Sequence, residues 1–526
     1  MELFSFLYLL LIVLLAISYY AIPRICKAAD RYQWTILLAG SLLFYLIQGQ
    51  VHILFLMVTA ATVYAGGILL SSLELQYRQK KKEAPDRASR ARWKAATLRK
   101  KRIVLILVMV LNFGILAWFK YFRVLLHAKS IFLPIGISFY TFQAVGYLID
   151  QYGGKYPPER NFARFLLFVS WFPQMLQGPI GRYDRLSASL YAPHAIDRER
   201  TERALLLMLF GLVKKYAVAD MLNPAIAAIF DSGDMAGRPG CMVVFGILLY
   251  SVWQYADFSG GIDIIRGISA LFGVELDQNF RQPYFSVSLG DFWRRWHITL
   301  GAWMRDYVFY PLALTRGMQK LGKWCTRHFG KHAGRTIPAG IANIAVFFLV
   351  GLWHGAQSHY LLWGLYNGIV IALSDLTAPF WQWLAGKLRM NTASRGFHVF
   401  RVLRTFVIVN IGWYFDRIYD FHDCMLAFRQ TFTAFDGAHF GFHFRNIILE
   451  GLGGMTNTLG SFGLALIGTG MVLAVSLQKE RGIDCEGRLL KRAAGWTYVF
   501  SGMCLLLVFA SFVFTTTAGG FLYANF

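Results

Sequence analysis

Several uninterrupted apolar runs constrain this chain more than any other feature. About 20 such residues cross the hydrocarbon core of a bilayer as one helix. The runs are continuous rather than alternating, so the dyad pattern of a β-barrel is absent. The expected fold is an all-α polytopic membrane protein. Composition agrees: 56% of the 526 residues are hydrophobic and 16% are charged, where a soluble chain carries about a quarter charged residues.

Hydropathy places spans at about 3–22, 33–49, 51–73, 103–124, 203–230, from 240, 337–353, 400–418, 462–478 and 495–517. The formal charge of +24 follows first from orientation, because Lys and Arg accumulate on the cytoplasmic side. A basic cytoplasmic face also attracts a phosphate-bearing cofactor, and nucleic acid is not among the expected partners. The cluster between Arg78 and Arg102, with Lys80, Lys81, Lys82, Arg99, Lys100 and Lys101, reads as a cytoplasmic loop. So does the segment holding Lys479, Arg481, Arg488, Lys491 and Arg492. Both termini then lie outside the cytoplasm. The N-terminus lacks a basic leader and an A-x-A site, so the first run is expected to stay as a helix. No solenoid repeat is visible. One membrane domain over 1–526 is the simplest count, with N-terminal helices at 1–130, a core at 131–380 and C-terminal helices at 381–526. The six cysteines have neither zinc spacing nor a disulfide framework.

The interruptions carry the interest. Pro134 and Gly136 sit in the run Leu133–Gln143 and predict a kink or a close helix contact, with Ser138, Thr141 and Gln143 able to bond across helices. Pro173 cuts the run from Phe162, which ends in Gln177-Gly178-Pro179-Ile180. Irregular backbone at membrane depth is tolerated inside protein or along a watery cavity. Lys214 and Lys215 fall mid-run and read as snorkelling or as a short or tilted segment. Asp257 and Asp263 flank a Gly260-Gly261 break, which reads either as a lumen lining or as a helix end with an Asp cap.

Residues 280–313 are too charged to span and too aromatic to float in water. Asp291-Phe292-Trp293-Arg294-Arg295-Trp296-His297 suits an interfacial or re-entrant helix. A basic loop follows (Arg316, Lys320, Lys323, Arg327, Lys331, Arg335) and places His297 near the cytoplasmic face. The next run ends in Trp353-His354-Gly355. If helical, Ile337 to Trp353 reaches roughly 25 Å and carries His354 inward. An ionisable ring at the end of such a run is a functional-site candidate, with a hydrogen-bonded helix-packing histidine as the plainer reading. Gly355 leaves room beside the imidazole for another group to approach.

Pro134-Ile135-Gly136-Ile137-Ser138-Phe139-Tyr140-Thr141-Phe142, Gln177-Gly178-Pro179-Ile180, Asp257-Phe258-Ser259-Gly260, Phe292-Trp293-Arg294-Arg295-Trp296-His297 and Trp353-His354-Gly355 occur in one order. That order resembles the bacterial membrane-bound O-acyltransferases, nearest the alginate O-acetyltransferase (AlgI-like) subfamily. The resemblance covers roughly residues 1–380. Trp413-Tyr414-Phe415-Asp416-Arg417 departs from the subfamily's Trp-x-Phe-Phe-Arg, while the ending Phe521–Phe526 is similar.

The resemblance implies a ring of helices with re-entrant segments around a central tunnel, in a bacterial cytoplasmic membrane. It implies an acyl donor engaged from the cytoplasm, with acetyl-CoA or another acyl thioester as substrate, no bound cofactor and no metal. His354 matches the family's catalytic histidine and His297 its second histidine. His354 as a general base suits a ring whose ordinary pKa is near neutral. His297 then orients the thioester or relays a proton. Arg294 and Arg295 face donor phosphates or lipid headgroups, and Trp353, Asp257, Ser259 and Asn367 are tunnel-lining or donor-binding candidates. The resemblance also implies an extracytoplasmic SGNH-type partner acetyltransferase, similar to AlgJ or AlgX, that passes the group to a polysaccharide.

Three other readings stay open: D-alanyl transfer from a carrier protein toward teichoic acid (DltB-like), a proton-coupled transporter, and a structural membrane subunit. The sequence has no G-x-S-x-G elbow, no H-E-x-x-H and no Walker sequence, which disfavours a serine hydrolase, a zinc protease or an ATP-driven pump.

Overall fold

The computed structural model describes residues 6–25, 27–84, 86–122, 134–355, 357–452, 455–491 and 495–514. The N-terminal Met1–Phe4, Cys26, Leu133, Ala356 and the aromatic ending Phe521–Phe526 lie outside the described residues. Helix is the regular structure of the described residues, joined by one isolated antiparallel bridge between Phe280 and Trp296. Eight described helices are long and apolar enough to cross a membrane: Leu7–Ile25, Val51–Lys82, Arg87–Tyr121, Gly240–Leu271, Arg316–His354, Ser358–Lys387, Asn457–Glu480 and Gly495–Phe514. The chain is an all-α, multi-pass membrane protein.

Three expected spans are not on that list. Trp34–Gln48 is a helix of 15 residues, about 22 Å and short of the bilayer core. The run at 203–230 is divided by a π-helical segment, Val213–Ala219. The helix Arg395–Arg417 carries Arg401, Arg404, Asp416 and Arg417 and is too polar.

The basic loops are a larger correction, because all three are mostly helix among the described residues. Gln50–Lys82 has 33 residues and Arg87–Ala117 has 31. At 1.5 Å per residue each runs to roughly 45–50 Å, past about 30 Å of hydrocarbon. Lys and Arg are good helix formers, so a helix need not end where its charges begin. Lys101 Nζ meets Glu74 Oε2 at 3.2 Å across this pair. The second basic segment is the first leg of Arg316–His354. That helix is folded back at Gly330, whose φ is +85°. A Cβ on Gly322 would lie 2.9 Å from the Gly334 carbonyl and 3.5 Å from the Pro338 ring. In a straight helix those residues would be about 18 Å apart or more, so the two legs form a helical hairpin.

The chain forms two compact units: residues 1–204 with 265–277, and residues 205–264 with 278–522. In the first, Pro134 and Gly136 do not kink a helix; they begin one. Gly136 adopts φ +72° just before Ile137–Tyr152 and faces the Met175 carbonyl, 3.0 Å from where a Cβ would sit. Gln143 bonds across helices as expected. Its Nε2 donates to the Phe168 carbonyl, and its Oε1 accepts from Gln174 Nε2 and, at 3.1 Å, from the Gly181 N–H. Ser138 Oγ and Thr141 Oγ1 are buried with no hydrogen-bond partner among the described residues.

In the second unit, the expected Gly-Gly break is absent. Gly240–Leu271 runs on through Gly260 and Gly261. The glycine permits a close crossing: a Cβ on Gly260 would lie 2.9 Å from the Gly211 carbonyl and 3.0 Å from Lys214 Cβ. That crossing corrects the snorkelling reading of the two lysines, which are buried on carboxylates. Lys214 Nζ meets Asp263 Oδ2 at 2.6 Å, and Lys215 Nζ bridges Asp257 Oδ1 at 2.7 Å and Asp220 Oδ1 at 2.9 Å.

Arg316–His354 and Ser358–Lys387 pack through glycines. A Cβ on Gly351 would lie 2.3 Å from the Tyr360 carbonyl, and one on Gly364 would lie 2.3 Å from the Phe347 carbonyl. Small residues allow such contact where lipid gives no hydrophobic drive for association. Gly364→Ala is expected to destabilise the protein by about 1–3 kcal/mol, because packed backbones must separate. Thermal unfolding in detergent checks this against Gly386→Ala, where the added methyl meets nothing within 4 Å. Equal melting of the two variants would contradict it.

Candidate active site

His297 lies between the short helices Leu289–Arg295 and Ile298–Met304. Its φ of +46° is left-handed, a conformation uncommon outside glycine. The surroundings hold it there. The Arg281 N–H donates to the Arg295 carbonyl at 2.9 Å, and the Ile298 N–H donates to the Asn279 carbonyl at 3.0 Å. The re-entrant helix expected here is therefore broken at Trp296–His297 and pinned to residues 279–281.

Asn279 Oδ1 accepts from the Thr299 N–H at 3.0 Å and the Thr299 hydroxyl at 2.9 Å. A backbone N–H only donates, so this atom is the amide oxygen. His297 Nδ1, 3.2 Å from the same oxygen, is then the protonated nitrogen, and Nε2 carries the lone pair. Sequence reasoning missed Asn279. A buried histidine needs such a partner, but nothing local in Asp277-Gln278-Asn279 marks it.

Aromatic rings join the two histidines. Phe258 meets His297 edge-on at 4.9 Å between centroids. The Trp353 ring is 6.2 Å from His297 and 4.9 Å from His354. His354 is the last residue of its helix, stacked on Tyr360 at 5.6 Å and edge-on to Trp363 at 5.1 Å. Both imidazoles are buried. The structure thus brings His297, Trp353 and His354 together.

The other expected residues fall into three groups. Asn367 lies against this cluster: its Oδ1 accepts from Trp293 Nε1 at 3.0 Å and its Nδ2 donates to the Trp363 carbonyl at 2.8 Å. Asp257 is fully buried on Lys215, one residue before the Phe258 that touches His297, and Ser259 Oγ is buried with no partner among the described residues. The arginines are separate from both. Arg295 Nη1 forks onto both Glu480 oxygens at 2.8 and 2.9 Å, while the Arg294 side chain is 71% exposed, 3.6 Å from Asp291. Gly355 is corrected. The space a Cβ would take there is closed by the Tyr360 ring at 2.8 Å, so the glycine seats a tyrosine beside His354.

Removing the Asn279 oxygen tests the first anchor. Asn279→Ala leaves the buried Thr299 N–H and His297 Nδ1–H without an acceptor, which is expected to cost about 1–3 kcal/mol. Asn279→Asp keeps the oxygen and is expected to recover most of the loss in thermal unfolding. Equal losses would contradict the assignment.

Two buried histidines thus lie among tryptophans in an all-α membrane protein. The membrane-bound O-acyltransferase family model matches residues 2–408, and the chain belongs to that family. It is similar to the probable alginate O-acetylase AlgI of Pseudomonas syringae pv. tomato, 35% identical over 56% of this chain and 50% of the relative. It is also similar to the peptidoglycan O-acetyltransferase of Helicobacter pylori, 30% identical over 60% and 62%. The teichoic acid D-alanyltransferase of Streptococcus thermophilus is 29% identical over 50% and 60%. The chain spans about half the length of the alginate relatives it matches.

Proposed function

We propose that this protein moves an acetyl group from a cytoplasmic thioester, such as acetyl-CoA, to a hydroxyl on the outer side of the membrane, for O-acetylation of an extracytoplasmic polysaccharide. The observation that carries the reading is the placement of His354 and His297 on one tryptophan ring. Family membership and the similarity to O-acetylases support it.

His354 takes the proton of the incoming hydroxyl. The hydroxyl oxygen then bonds to the acyl carbon, the carbon–sulfur bond breaks, and the proton passes to the departing thiolate. His354 ends a helix, and the carbonyl end of a helix favours positive charge beside it, so a transient imidazolium is accommodated there. His297, with Nδ1–H fixed on Asn279, presents Nε2 to the donor or to a proton in transit. Trp353 separates the two rings. Asn367 holds the Trp293 indole beside them. The basic ends of the Gln50–Lys82 and Arg87–Ala117 helices and the first leg of Arg316–His354 lie on the cytoplasmic side. The partner that receives or relays the group is an extracytoplasmic SGNH-type acetyltransferase.

The similarity to teichoic acid D-alanyltransferases supports one second reading, a D-alanyl donor on a carrier protein. Purified protein offered labelled acetyl-CoA, or a D-alanylated carrier, with a hydroxyl acceptor separates them. The proposal expects acetyl ester from the first. Product from the carrier alone overturns the acetyl reading, and label crossing a vesicle without covalent transfer overturns both.

A further inference from the structure

From Tyr307 to Ser374 the sequence has neither Asp nor Glu. The first leg of the Arg316–His354 hairpin lies inside that stretch. Arg316, Lys320, Lys323 and Arg327 recur on it at i, i+4, i+7 and i+11. That spacing sets them within about 60° of one another on a helix and spreads them over about 16 Å. All four are exposed. None has a side-chain hydrogen bond or ion pair among the described residues.

The packed side of this leg is the opposite one. Cys325 is 1% exposed, and a Cβ on Gly322 would meet the Gly334 carbonyl at 2.9 Å. Like charges one turn apart weaken a helix. Arg316 also falls in the first turn, where the helix dipole disfavours a cation. A stripe of this kind is unfavourable by itself, and an anionic partner removes the repulsion.

Depth and neighbours select the partner. Gly322 lies beside Gly334 and Pro338, so the adjacent Lys320 and Lys323 are level with the start of the apolar run at Ile337. Lipid phosphates lie at that level, where a chain enters the bilayer. Trp324 is 50% exposed and Phe329 is 63% exposed, with ring centroids 5.7 Å apart. Exposed rings among cations at this level suit the membrane–water interface.

We propose that Arg316, Lys320, Lys323 and Arg327 form a binding surface for anionic phospholipid headgroups, with Trp324 and Phe329 as its aromatic edge. Phosphates bind along the stripe and brace the hairpin whose second leg ends in His354. The surface is independent of the acyl-transfer reading, because it needs only the hairpin and its cations.

The test places full-length protein in nanodiscs of phosphatidylglycerol or of phosphatidylcholine. Thermal unfolding and the lipids retained in native mass spectrometry are the readouts. One Lys or Arg near an anionic membrane surface is worth about fivefold in binding. Wild type is expected to retain phosphatidylglycerol about tenfold or more over phosphatidylcholine, to melt higher in it, and to lose both effects as salt rises. The combined change Arg316→Gln, Lys320→Gln, Lys323→Gln, Arg327→Gln is expected to lower that preference by about tenfold or more. The four side chains are exposed, so the variant folds. In phosphatidylcholine it is expected to melt at least as high as wild type, because the repulsion is gone. Equal behaviour of wild type in the two lipids, or an undiminished preference in the variant, overturns the surface. Binding of poly-glutamate that the variant loses, without any preference for phosphatidylglycerol, also overturns it and makes the stripe a protein-docking face.

Discussion

His354→Ala is expected to lower acyl transfer by about 10²–10⁴-fold, the usual contribution of a positioned general base. The variant should fold. Alanine removes a ring at a helix end, and Trp353, Tyr360 and Trp363 around it are held by their own helices. Single-turnover transfer from labelled acetyl-CoA to a hydroxyl acceptor reads the effect, with size-exclusion elution as the folding control. His297→Ala should cost less, because its place beyond Trp353 suits a donor-orienting role. Transfer by His354→Ala within about threefold of wild type would remove the base assignment, since such a residue is worth at least tenfold more.

The largest expected effect on stability lies at Lys215. Its ammonium is 2% exposed and lies between Asp257 and Asp220, themselves 0% and 4% exposed. Removing one partner of a buried ion pair leaves an uncompensated charge and typically costs about 3–5 kcal/mol. Lys215→Met strands two carboxylates, so a loss at the upper end is expected. The triple change Lys215→Met, Asp257→Asn, Asp220→Asn should recover much of it, because neutral amides at these positions carry no stranded charge. Detergent unfolding checks both. Wild-type stability in Lys215→Met would mean the network holds nothing in place.

The fold class was legible because a membrane span is a local property. About 20 apolar residues say what they are without a partner. The histidines were legible for a related reason: a polar ring at the end of an apolar run stands out by itself. Helix ends were misread where charge was taken for loop. From Arg78 to Lys82, from Arg87 to Arg102, and again from Arg316, the backbone is helical because nothing in Lys or Arg stops it. Gly260-Gly261 was misread in the opposite sense. A glycine pair in a sequence looks like a break, but against Gly211 it is a contact. The ion pairs were hidden because Lys215 and Asp257 are 42 residues apart, and only that close crossing brings them together. Gly355 shows the same limit. The room it leaves is filled by a tyrosine five residues later, which no spacing rule announces.

Sidedness is the most direct test of the central claim. Protein is reconstituted into sealed vesicles in one orientation, with labelled acetyl-CoA on the side of the basic helix ends and an oligosaccharide acceptor, together with the partner acetyltransferase, on the other. The account predicts acetyl ester on the far side, no loss of acetyl-CoA integrity without acceptor turnover, and no product with His354→Ala. Ester formed only on the donor's own side, or intact acetyl-CoA appearing across the bilayer, would contradict it.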